Sequence, residues 1–105
     1  MEDSNQIEVP PSFLALFTSP VGHRLLQPMT KVRERYELCE DLAQMLVEQA
    51  QAERFKSGGS ERETLAKVEV ALSDPGSGLE PGEVSWVLTR LAEIAGWDLP
   101  GPAQR

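Results

Sequence analysis

The stretch from Thr30 to Phe55 constrains this chain more than any other. Val32, Tyr36, Cys39, Ala43, Leu46 and Ala50 follow one another at intervals of 4, 3, 4, 3 and 4 residues. At about 100° per residue, those side chains share one face of a helix. Leu38, Leu42 and Met45 widen the face to about half of the circumference, so the helix is expected to touch two other elements rather than one. Glu34, Glu37, Asp41 and Glu48 fall on the opposite side. Thr30 is the expected N-cap, because its hydroxyl can accept from an orphan N–H. A helix of about 25 residues is about 38 Å long, the spine of a small domain.

The remaining segments fit around that rod. "KSGGSERE" ends it with a glycine pair and starts the next helix with Ser60 and Glu63, a capping-box spacing. That helix is expected from Glu61 to Ser73, burying Leu65, Val68 and Leu72 with Ala71 beside them, before Asp74-Pro75-Gly76 stops it. In "GLEPGEVSWVLTRLAEIAGW", Pro81 suits a first helical position after Glu80. Leu79 and Val84 suit a hydrophobic staple. Val84, Val87, Leu88, Leu91, Ile94 and Ala95 form the expected buried face. Gly96 is the expected terminator, with Trp97 folding back on Leu91 or Ala92.

Upstream, "VPPSFLALF" reads as a short helix with Pro11 in its first turn and Phe13 one turn from Phe17. It is too short to stand alone, so it is expected to cover the core as an N-terminal arm. Leu25 and Leu26 are the expected anchors of the connection "TSPVGHRLLQPM". Residues 1–8 and 98–105 read as flexible ends. No segment alternates as a strand does. The expected fold is all-α: one domain over residues 1–105, a small bundle of three main helices plus the arm.

Charge narrows the partners. The formal net charge is −7, and residues 57–105 carry eight acids against four bases. Phosphate repulsion argues against nucleic acid and against anionic membrane, whereas a basic protein is permitted. No apolar run approaches the ~20 residues that span a bilayer. "MEDSNQIE" lacks the order of a signal peptide, and the single cysteine cannot close an intrachain disulfide. These features lead to the expectation of a cytoplasmic protein.

Cys39 stands among Glu37, Glu40 and Asp41, yet helical spacing turns it toward Val32 and Leu46 and turns Glu37 and Asp41 away. Neighbouring carboxylates would also raise a thiol pKa, the wrong direction for a nucleophile. A core role is therefore expected. His23, the only histidine, lies in no HxxxH, CxxC or ExxH spacing. The acids of the long helix face outward without histidines, unlike helical di-metal sites. Neither glycine stretch has the lysine of a phosphate loop. A helix-turn-helix reading of the last two helices meets a long turn and an acidic second helix. No catalytic residue, metal or cofactor is expected.

Trp86 stands apart. It lies about 140° from the centre of the buried face of its helix, so this large aromatic needs cover. The arm or the tail could supply that cover within the chain, or another protein could. Arg90, one turn on, could stack on it. Trp86, Arg90, Phe13 and Phe17 are the candidate interaction residues.

The strings "PPSFLALF", "RYELCEDLAQML" and "WVLTRLAEIAGW" together resemble a group of short, all-helical bacterial proteins with no established function. They cover less than half of the chain. Some members of that group are described as chaperone-associated ATPases, but this sequence has no nucleotide-binding loop, so the resemblance brings no activity and no site residue. The expected function is a non-enzymatic protein-interaction or regulatory module, with a second copy as one candidate partner. The alternative is a small ligand-binding protein or enzyme with a pocket between arm and bundle, around Tyr36, His23 and Arg24.

Overall fold

A computed structural model describes residues 8–21 and 24–97 of the chain. Its long helix, α2, runs Met29–Ser57, 29 residues. Before it come a single helical turn, α1, Pro11–Leu14, and a 3-10 turn, Ala15–Phe17. After it come α3, Glu61–Ser73, and α4, Pro81–Ala95. The expected all-α bundle with an N-terminal arm is the architecture observed.

Local chemistry sets most of these boundaries. Ser60 Oγ accepts the Glu63 N–H at 3.0 Å and Glu63 Oε1 accepts the Ser60 N–H at 3.2 Å, so the capping box satisfies two orphan donors at the start of α3. Gly96 takes φ 77°, a left-handed value that a side chain would resist. Its turn brings the Trp97 N–H back to the Ala92 carbonyl at 2.8 Å. The expected cap of α2 is corrected: Pro28 occupies that position, no side chain caps the helix, and Thr30 is exposed in its first turn. Proline's fixed φ directs the chain into the helix, and the Pro28 carbonyl accepts the Val32 N–H at 3.1 Å.

The pairings of side chains give the directions. Arg35 near the start of α2 meets Glu83 near the start of α4, and Arg54 near the end of α2 lies over Trp97 just past the end of α4. α4 therefore runs parallel to α2, with α3 returning between them in sequence. The core lies chiefly where α2 and α4 meet. Val32, Cys39, Ala43 and Ala50 of α2 are buried, as are Val84, Val87 and Leu91 of α4. Cys39, Ala43 and Ala50 are small, which lets the two backbones approach closely. α3 contributes Leu65 and Leu72, together with Thr64, whose buried hydroxyl donates to the Ser60 carbonyl at 3.0 Å.

Two expectations about packing are corrected. Leu38 and Met45 do not widen the buried face of α2: they are 45% and 54% exposed, because they point roughly 120–140° away from the side that Val32 and Ala50 share. Leu25 and Leu26 are exposed as well, and their backbone does the anchoring. Leu26 N–H donates to the Phe17 carbonyl at 2.7 Å, next to an isolated antiparallel bridge between Thr18 and Leu25.

Candidate interaction site

Phe13 of α1 is fully buried, the most deeply seated residue of the arm. Its ring meets Phe17, Tyr36 of α2 and Trp86 of α4 at centroid distances of 5.5, 5.6 and 5.1 Å. The contacts with Tyr36 and Trp86 are edge-to-face, the arrangement that ring quadrupoles favour. The Trp86 indole N–H donates to Ser12 Oγ at 2.9 Å. The arm thus supplies the cover that Trp86 needs on the far side of α4. Gly82 makes room for it, since a Cβ there would stand 3.1 Å from Leu16 Cδ2.

Arg90, which could have stacked on Trp86, turns to a carboxylate instead. Its guanidinium pairs with both oxygens of Glu40, Nε to Oε1 at 2.9 Å and Nη2 to Oε2 at 3.0 Å. A planar fork meeting a carboxylate in two places outcompetes a ring face. That hydrogen bonding holds the Glu40 carboxyl below its ordinary range, against the opposing effect of burial. Trp86, Arg90, Phe13 and Phe17 are therefore brought together at one side of the bundle, and the first three have their main partners within the chain. An open hollow of about 280 Å³ remains beside Leu16, Gly82 and Trp86.

A second ion pair escaped sequence reasoning. Glu83 is only 2% exposed. Arg35 donates to it from Nε at 2.8 Å and from Nη2 at 2.6 Å, and also reaches the Gly78 carbonyl at 2.9 Å. Burial pushes the Glu83 carboxyl upward. The Arg35 hydrogen bonds, the Glu80 N–H and the charges of Arg35 and Lys31 outweigh that push and leave it below its ordinary value. The Cys39 thiol has only the charge of Arg35 to oppose its burial, and that is outweighed. Burial first, then the charge of Glu83, push it up to about 12, so it stays protonated and unreactive at neutral pH.

The groove between the arm and the start of α2 is apolar, walled by Pro11, Leu14, Leu25 and Met29. Its Thr18 hydroxyl is already spent on the Leu14 carbonyl at 2.8 Å. Tyr36 packs instead in the aromatic cluster, Arg24 is exposed, and His23 lies outside the described residues. Among the described residues, no three His, Cys, Asp or Glu side chains converge as metal ligands, and no helix is long and apolar enough to cross a membrane.

Apart from Phe55, exposed near the end of the helix, the apolar side chains left open on α2 form a row. Leu38, Leu42 and Met45 fall within a sector of about 60° on the helix. Leu42 is half-buried, while Leu38 and Met45 are exposed. On the same side, an open hollow of about 460 Å³ separates α2 from α3, lined by Leu46, Ala50, Val68 and Leu72. Comparison of the chain with protein-family models, with curated proteins and with solved structures gave no match.

Proposed function

We propose that the chain is a non-enzymatic protein-interaction module that binds another protein through the Leu38–Leu42–Met45 row of α2. One observation carries this reading: the row is exposed on the longest helix of the bundle and runs toward the open hollow beside α3. Scattered exposed leucines need no explanation, whereas an apolar row that continues into a hollow has the form of a docking face. The groups with the strongest chemistry support the reading by being occupied elsewhere. Arg35, Glu83, Glu40 and Arg90 hold one another, and the Cys39 thiol is buried.

The test compares affinity capture from the native cell by the wild-type chain and by a Leu38→Gln/Met45→Gln variant. Glutamine keeps helix propensity and charge, so thermal unfolding should change by less than about 0.5 kcal/mol per site. The variant is expected to lose the co-purifying protein at least tenfold. Equal recovery with both chains would refute the reading.

A further inference from the structure

The same row carries a second message in its flanks. Glu34, Asp41 and Glu48 stand seven residues apart, all exposed, alongside Leu38 and Met45, which are also seven apart. Residues seven apart return to nearly the same side of a helix, so an acidic file runs parallel to the apolar one. From Glu34 to Glu48 the file extends about 21 Å. None of the three acids forms an ion pair with another described residue, in contrast to Glu40 and Glu83. The cations flanking the file on the helix, Lys31, Arg33 and Lys56, stand before and beyond it. On the other flank of the apolar row lies the hollow toward α3, with Val68 and Leu72 in its wall.

We infer that the occupant of this face is a cationic amphipathic helix of another protein, about 15 residues long. The inference rests on the reading of the row as a docking face and adds the chemistry of the partner. Leucine-type side chains of the visiting helix fill the row and enter the hollow beside α3. Lysines or arginines on its flank meet Glu34, Asp41 and Glu48. Complementary charge sets orientation and speeds encounter, and the net charge of −7 extends the attraction beyond contact. A second copy of this chain fits poorly, because antiparallel pairing through this face would bring two acidic files together, and in either direction two chains of net charge −7 repel. An anionic lipid surface is repelled for the same reason.

The test titrates the full-length, isotope-labelled chain with two synthetic peptides of equal length and equal apolar pattern. One carries lysine at every polar position and the other glutamate. Amide shifts are followed by NMR. The lysine peptide is expected to shift amides of residues 38–49 and 68–72. Its affinity should fall about tenfold in Leu38→Gln/Met45→Gln and about threefold to tenfold in Asp41→Asn/Glu48→Gln, and should weaken with salt. The glutamate peptide should not bind.

Equal binding of both peptides would overturn the cationic partner while leaving the docking face standing. Shifts centred on Trp86 and Leu16, or no shifts at all, would overturn the inference outright. A dimer of the chain that the double glutamine variant abolishes would likewise overturn it. Cellular capture that survives Leu38→Gln/Met45→Gln would instead remove the reading beneath it, whatever the peptides do.

Discussion

At the end of the bundle where the arm sits, Arg35 reaches Glu83 across 48 residues and Trp86 reaches Ser12 across 74. At the other end, Ser60 and Glu63 bond across three residues, and Trp97 turns back five residues to Ala92. The first end gathers a buried carboxylate, a guanidinium fork and four aromatic rings around the fully buried Phe13. The second is aliphatic, built on Val47, Ala50, Leu65 and Leu91, with caps made by groups a few residues apart in sequence. The difference teaches where cooperativity is concentrated. Interactions across 48 or more residues form only when the whole fold forms, whereas a capping box assists its own helix even in partial structure.

Substitutions at the two ends should therefore differ in size and in reach. The largest effect is expected for Glu83→Ala, which removes the buried carboxylate that holds both Arg35 and the Glu80 N–H. Breaking a buried pair costs about 3–5 kcal/mol, to be read from urea unfolding as a loss throughout the bundle. A loss below about 1 kcal/mol would mean that the pair only decorates the arm end.

Acid should reveal the same asymmetry. Glu83 and Glu40 titrate below their ordinary value of 4.5 in the folded chain. Their contribution is complete above that value and disappears as pH falls through the lower folded pKa. Stability should thus hold steady down to about pH 4.5 and decline beneath it. In Glu83→Gln the decline should become shallower, with Glu40 supplying what remains. An unchanged slope would assign acid sensitivity to other carboxylates.

The smallest effect is expected at the opposite end. Ser60→Ala should cost about 1 kcal/mol, with faster amide exchange confined to the first turn of α3. Exchange that accelerated across α4 as well would erase the contrast between the ends.

The same division explains what was legible in the residues. Periodicity located all three long helices, and Ser60, Glu63, Pro81 and Gly96 marked their ends correctly because each acts within a turn or two. The long-range end was less readable. Nothing near Glu83 in sequence distinguishes a carboxylate that caps its own helix from one that also accepts a guanidinium from another helix. Sequence spacing offers Arg90 a place on Trp86, one turn away, whereas Glu40, the partner that binds it, lies 50 residues upstream. Trp86 was recognisable as misplaced, since its angle on the helix violates the buried face, but only the arm's position in three dimensions shows what covers it. Leu38 and Met45 failed for a related reason. An apolar side chain at the border of a face is buried only where a neighbouring helix covers its sector, and the sector of Leu38 and Met45 is left open.

The crossed arrangement of the two ion pairs has a consequence for topology. α2 offers an arginine and then a glutamate, while α4 offers a glutamate and then an arginine, so alignment head to head satisfies both. Were the last helix to insert upside down, Arg35 would confront Arg90 and Glu40 would confront Glu83. An apolar seam of small residues tolerates either polarity, whereas four charges placed in this order admit one. They act as a key cut for a single direction of entry.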